Sequence, residues 1–391
     1  MSPEPSRSGI PISHLDLANP KVDYPAIRRG VLNVIQNSHL DQIIKATYSH
    51  LIVDEYQDCQ PDQHQLIVSL SNLLPTCALG DPLQSIFGFT TEGTVSWVDD
   101  VLTTFPPAGT LSTPWRWNLV GNETLGLWLL AIREELLKGR QIDLRQAPNC
   151  VEWICLDGLD DWPKQLKAAN TPSPNPGGGS LIMAKWPKEQ ADFARSIPGA
   201  SKVETADMSE LQIFAASFVP SSNNALGQLV TFASSVMTGV SAPELQKRLQ
   251  SIDAGTNRTP PNDIEHAIIG FREQPNFKEA AVVLSQFSRD VGAKVFRPEL
   301  LRTAIKTLNS AEASDGRALA DLAISIRDQA RFSGRQIPRK AVGSTLLFKG
   351  LEADVSIILK AEGMDARDLY VALTRGSRKV VVCSKTPLLP T

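Results

Sequence analysis

Hydrophobic and polar positions follow two different rhythms along this chain. Over residues 24–46, apolar Ile27, Val31, Val34, Ile35, Leu40, Ile43 and Ile44 recur at roughly helical spacing, which predicts one or two short helices. His50-Leu51-Ile52-Val53 then runs straight into Asp54-Glu55. A short apolar run bounded by polar residues predicts a strand buried on both faces, as in parallel α/β sheets. Pro61 suits the first turn of a helix, Leu66, Ile67, Leu70, Leu73 and Leu74 supply its apolar stripe, and Pro75 ends it. Thr76-Cys77-Ala78-Leu79 predicts a second short buried strand, which ends in the polar loop Gly80–Phe89. Strand, acids, helix, strand and loop make a βαβ unit with both loops at one sheet edge.

Further along, Leu125, Leu129, Ile132 and Leu136 predict a helix over 120–138, and Val151–Leu156 alternates like a strand. Leu181–Ala184 predicts another buried strand, followed by an amphipathic helix near 187–197. From about 208 to 335 strand signals fade and helical stripes separated by Ser, Gly, Pro and Asn dominate, as in a helical insertion. Strand character returns over Ser344–Leu359, and a helix over 365–375 and a strand over Lys379–Cys383 close the chain. Residues 1–22, rich in Pro and Ser, predict a loose arm.

The 391 residues are enough for two or three domains, and 42% hydrophobic with 21% charged residues predicts globular structure rather than disorder. A net charge of −3 means that any nucleic-acid surface must be local. Five scattered cysteines without a CxxC pair suggest neither a zinc site nor a disulfide framework. No apolar run is long enough to span a membrane, and the N-terminal residues lack the apolar core of a signal peptide, so the expected compartment is the cytoplasm.

Carboxylates at the C-terminal end of a parallel strand lie where such folds bind ligands. Adjacent acids there suit Mg²⁺-nucleotide chemistry: Asp54 would hold Mg²⁺ through water, and Glu55 would orient and deprotonate the attacking water. Gly177-Gly178-Gly179 is no phosphate cradle, because no Lys-Ser/Thr follows at P-loop spacing; it reads as a surface loop.

Five segments in order resemble motifs of the UvrD/PcrA-like superfamily 1 DNA helicases: VDEYQD (53–58), LGDPLQSIFGF (79–89), PWRWN (114–118), FKGLEADVSII (348–358) and LYVALTRGSRKVVV (369–382). The resemblance implies an α/β protein of two RecA-like parallel-sheet motor domains with an α-helical 2B-like insertion in the second. The implied layout is an arm over 1–22, a partial first motor domain over 23–110, a second over 111–207 and 338–391, and the insertion over 208–337. It implies an ATP-dependent 3′–5′ translocase on single-stranded DNA. Gln84 matches the residue that senses the γ-phosphate, and Arg116 and Arg375 match two arginines that reach it, where a fixed charge and a bidentate fork suit phosphate. Gly350 and Glu352 match the nucleotide-binding turn, with Glu352 at the ribose. Phe87 and Phe89 match base-stacking positions, Phe89 more closely.

Plainer readings stand beside these. Arg116 between Trp115 and Trp117 also suits cation stacking on aromatic faces, Arg375 a cation at a helix C-terminus, Gln84 a turn, and Phe87 and Phe89 a core; Trp153 and Trp186 read as packing residues.

The sequence departs from the resemblance at its front. Relatives carry Gly-x-x-x-x-Gly-Lys-Ser/Thr well before the acidic strand, and none of the 53 residues before Asp54 forms that loop. The expectation is an incomplete first motor domain whose Walker A loop comes from a separate polypeptide or was lost by gene splitting or truncation. Leu346 and Leu347 occupy a region where relatives have a histidine, Thr90 stands where they have an arginine, and the insertion is short. The alternative function is a catalytically degenerate module that binds single-stranded DNA or a protein in a repair or phage-defence complex.

Overall fold

The computed structural model describes residues 20–87, 93–312, 318–332 and 337–391. Its strands are β1 (Leu51–Val53), β2 (Thr76–Ala78), β3 (Ile142–Asp143), β4 (Val151–Cys155), β5 (Ser180–Met183), β6 (Ala200–Lys202), β7 (Lys340–Gly343), β8 (Ala353–Ile358), β9 (Gly376–Ser384) and β10 (Leu388–Leu389). The described chain divides into two compact units, one running to Asp143 with Gly363–Val371 and Leu388–Thr391, the other of Leu144–Glu362 and Ala372–Pro387.

In the first unit β1 and β2 pair in parallel, Leu51 opposite Thr76, Ile52 opposite Cys77 and Val53 opposite Ala78. The helix Pro61–Ser71 joins them, started by its proline and by the Gln60 N–H donating to Gln63 Oε1 at 2.8 Å. Leu51, Val53 and Ala78 pack against a core of Tyr56, Ile67, Val95 and Val101. The expectation of strands buried on both faces fails here: Ile52 is 68% exposed and Cys77 is exposed. Side chains alternate across a strand, and among the described residues this two-stranded sheet is covered on one side only. The predicted leading helices are Pro20–Gln36 and Asp41–Thr47. Downstream, helix Glu123–Leu137 buries Leu125, Leu129, Ile132 and Leu136, the four positions whose spacing predicted it.

The second unit is built on a six-stranded, wholly parallel sheet in the order β4-β9-β8-β5-β7-β6. All four residues of β5 are buried, as its unbroken apolar run predicted. Ile182, Val342, Val355, Ile357 and Val381 form the sheet's contribution to a core that Phe193 and Ile197 complete. Between β6 and β7 the named elements are helices, from Ser209–Ser217 to Leu319–Phe332, around a core that includes Leu229, Phe232, Leu284 and Leu300. Arg297 ties this helical part to the end of β6 by bonds of 2.7 and 2.6 Å to Glu204. Lys294 Nζ donates to the carbonyls of Ala194, Arg195 and Ile197, satisfying the C-terminus of helix Pro187–Ser196. Strand character over 344–359 is interrupted: Thr345–Phe348 is a helical turn, because Ser344 Oγ accepts the Leu347 N–H at 3.3 Å. Trp153, read as a packing residue, is partly buried, with Nε1 donating to Ser384 Oγ at 2.9 Å. Among the described residues no helix is long and apolar enough to cross a membrane.

Candidate functional site

Backbone pairing continues past the ends of β1 and β2. Leu79 N–H donates to Val53 O at 2.8 Å and Tyr56 N–H to Leu79 O at 2.9 Å. The two loops that follow the strands are thereby held side by side. Asp54 is exposed, and its Oδ1 accepts the Glu55 N–H at 2.8 Å. Glu55 sits in the left-handed region, φ 53 and ψ 38, which costs a non-glycine residue about 1–2 kcal/mol. Strain of this kind at a strand end persists only where the surroundings impose it.

Gln57 is bonded both to this strained residue and to the loop after β2. The side chain is 3% exposed. Its Nε2 donates to Glu55 Oε2 at 2.5 Å, its Oε1 accepts the Asp81 N–H at 2.9 Å, and its main-chain carbonyl accepts from Ser85 Oγ at 3.1 Å. One amide thus stitches the loop after β1 to the loop after β2. Asp81 then caps the turn Pro82–Gln84: its carboxylate accepts from Leu83 N at 3.1 Å, from Gln84 Nε2 at 3.2 Å and from Arg133 at 3.1 Å. Burial works against the Arg133 charge, and the Asp81 carboxylate, with smaller contributions from Tyr370 and Glu134, more than offsets it, so Arg133 is held above the ordinary arginine range. Beneath the loops, Tyr56 is fully buried, its hydroxyl 2.8 Å from His64 Nδ1, and burial pushes its phenol well up.

Phe87 lines a cavity of about 270 Å³ with Asp58, Gln60, Gln63 and Thr94. Phe89 lies outside the described residues. Arg116 is on the short helix Trp115–Leu119, with its guanidinium 5.3 Å from the Trp117 ring centroid, so the stacking arrangement open from sequence is present.

The remaining expected site residues belong to the second unit. Gly350 has φ +77, a conformation that favours glycine, and Glu352 is exposed. Arg375 is 3% exposed; it donates to the Leu351 carbonyl at 3.0 Å and to Thr374 Oγ1 at 2.9 Å, while its own carbonyl accepts the Ala353 N–H at 2.9 Å. It therefore clasps the turn that carries Gly350 and Glu352.

Residues 14–94 match the UvrD/REP helicase N-terminal domain. A stretch of 68 residues is 34% identical to a protein of Leuconostoc mesenteroides subsp. mesenteroides that is named as one component of an ATP-dependent helicase/nuclease. The chain carries a UvrD-like helicase segment. The aligned stretch covers 17% of this chain and 6% of that relative.

The UvrD-like segment contains β1, β2 and both stitched loops. Among the described residues no group of three His, Cys, Asp or Glu side chains is placed to hold a metal ion. Mg²⁺ bound with a nucleotide needs only one or two carboxylates, since phosphates and water fill its other positions, so an exposed Asp54 fits that group and does not fit a resident structural metal. Gln57, Asp81 and Arg133 were not singled out from sequence. Asp81 had a legible signal, a capping residue directly before a proline-led turn. Arg133 had none, being one of four charged positions on a largely apolar helix.

Proposed function

We propose that this chain is the motor part of a UvrD-like ATP-dependent DNA translocase, with ATP hydrolysis coupled to movement on single-stranded DNA. The observation that carries the reading is the Gln57 stitch, which orders Glu55 and the Gln84 loop together at the C-terminal ends of two parallel strands. That is where α/β sheets bind nucleotides, and it lies within the segment that matches the helicase domain.

Mg²⁺-ATP, when bound, supplies the transferable phosphoryl group. Asp54 would hold the hydrated metal. Glu55, oriented by Gln57, would take the proton of the attacking water. Gln84 has an amide that can donate to phosphate and accept from water, and a neutral group of that kind suits a sensor. Arg116 and Arg375 would neutralise charge on the phosphates. Gly350 and Glu352 would meet the nucleotide, Glu352 at its ribose. Phe87 and Phe89 would stack on bases, each contributing about 1–3 kcal/mol without reading sequence. A Gly-x-x-x-x-Gly-Lys-Ser/Thr loop is not among these 391 residues, and the reading requires one supplied from outside them.

The test is affinity for a fluorescent oligo-dT, with and without a non-hydrolysable ATP analogue and Mg²⁺, followed by DNA-stimulated ATPase after addition of a P-loop-bearing partner. A nucleotide-dependent change in affinity and a stimulated turnover support the reading. DNA binding indifferent to nucleotide overturns it in favour of a degenerate binding module.

A further inference from the structure

We propose that Arg133 is a positioning residue for Gln84, acting through Asp81. The proposal rests on the reading of Gln84 as the nucleotide-sensing residue. A carboxylate can only accept hydrogen bonds, so the Asp81 oxygen 3.2 Å from Gln84 dictates that the amide nitrogen faces it, which turns the amide oxygen the other way. The other Asp81 oxygen accepts from Arg133 at 3.1 Å and from Leu83 N at 3.1 Å. Arg133 and Asp81 are each 18% exposed, so this pair is screened far less than a surface ion pair. Arg133 also reaches Glu134 at 3.2 Å, but that carboxylate is 60% exposed.

The helix that carries Arg133 is fixed at a second point. Seven residues earlier, Gly126 lies so close to the Arg116 helix that a Cβ there would meet Pro114 Cβ at 2.7 Å and Trp117 Cβ at 3.0 Å. Positions i and i+7 share one helix face and stand roughly 10 Å apart along the axis. Helix Glu123–Leu137 is therefore a strut between the turn bearing Arg116 and the loop bearing Gln84. Without the guanidinium, the Asp81 carboxylate would lose the donor that holds one of its oxygens, and Gln84 would lose its fixed orientation.

The experiment uses the full chain and the variants Arg133→Gln, Arg133→Lys and Gln84→Ala. The Asp81 side-chain carboxyl ¹³C signal, assigned with Asp81→Asn and read at one fixed pH, should shift in Arg133→Gln and return toward wild type in Arg133→Lys. The Gln84 side-chain amide signals should shift in the same variant. The change in oligo-dT affinity on adding the ATP analogue and Mg²⁺ should shrink about fivefold in Arg133→Gln, and combining it with Gln84→Ala should remove nothing further. Unmoved Gln84 amide signals, or additive losses in the double variant, overturn the proposal. If wild-type affinity ignores nucleotide, the translocase reading fails, while the carboxyl and amide signals still decide whether Arg133 sets Asp81 and Gln84.

Discussion

Gly80 and Gln57 stand so close that one added carbon would collide with the stitch between the two loops. A Cβ on Gly80 would lie 2.6 Å from Gln57 Oε1 and 2.7 Å from the Trp97 ring. Because Oε1 is the acceptor for the Asp81 N–H, it cannot withdraw without breaking that bond. Gly80→Ala should therefore destabilise the first unit by about 1–3 kcal/mol, the cost of overpacking a filled site. Gln57→Ala should cost a similar amount by leaving the Asp81 N–H without its acceptor. The double variant should lose less than the sum, since removing the Gln57 side chain makes room for the new methyl. Urea denaturation of the three proteins checks this, and fully additive losses would show that Gly80 is needed for some other reason.

What could be read from the sequence follows from how local the cause is. Helix Glu123–Leu137 was legible because Leu125, Leu129, Ile132 and Leu136 repeat with the helix period, and β5 was legible because it is apolar throughout and buried throughout. β1 was legible as a strand but not in its surroundings: Ile52 looks like a core residue in sequence, and among the described residues nothing buries it against the two-stranded sheet. Asp54 and Glu55 announced themselves as an acidic pair at a strand end. Their partner network did not, because Arg133 meets Asp81 across 52 residues and no spacing rule reaches that far. Arg375 was legible as a motif arginine, but its clasp on the Leu351 carbonyl depends on tertiary contact alone.

The exposed face of β1 and β2 carries its own reporter. Cys77 is exposed opposite Ile52, whereas burial and the nearby Asp58 push the Cys59 thiol up to about 11, and burial pushes Cys383 up to about 12. Only the thiolate attacks an alkylating agent, so at pH 8 roughly one Cys59 in a thousand is reactive. Iodoacetamide should label Cys77 and the exposed Cys155 well before Cys59 and Cys383, as read by peptide mass spectrometry. The Cys59 proton also links to stability. The unfolded thiol ionises near 9 and the folded one near 11. Its contribution is complete below about pH 9 and lost as pH rises through 11.

Arg297 and Glu204 form a pair 5% and 1% exposed where the helical part meets the sheet of the second unit. Arg297→Met should cost about 3–5 kcal/mol, because it strands a buried carboxylate, and Arg297→Met/Glu204→Leu should recover much of the loss. A pH signature accompanies it. Burial works to raise Glu210, but Arg297 overrides burial and holds that carboxyl below the usual range; the nearby Lys202 ammonium is pulled below its ordinary value by burial. Glu210 then contributes stability that is complete above the ordinary glutamate pKa and lost as pH falls through the lower folded value. In Arg297→Met the decline of stability below about pH 4.3 should flatten, and an unchanged slope would mean that Arg297 does not set the Glu210 proton.

Arg375 separates two demands that the motif alone merges. A residue kept only to neutralise phosphate could be removed without loss of stability in the absence of nucleotide. Arg375 instead satisfies the Leu351 carbonyl at 3.0 Å and Thr374 Oγ1 at 2.9 Å from a position 3% exposed. Arg375→Ala should therefore destabilise the second unit by about 1–3 kcal/mol through those orphaned partners. It should also speed amide exchange across Lys349–Asp354. Arg375→Lys should recover only part of either effect, because a single ammonium lacks the planar fork that spans both acceptors. Denaturation and hydrogen-exchange mass spectrometry on nucleotide-free protein decide the matter. If Arg375→Ala matches wild type in both, the clasp carries no energy and the arginine is held in reserve for a ligand; if it fails in both, the Gly350 turn owes its shape to the same guanidinium that is proposed to meet the phosphate.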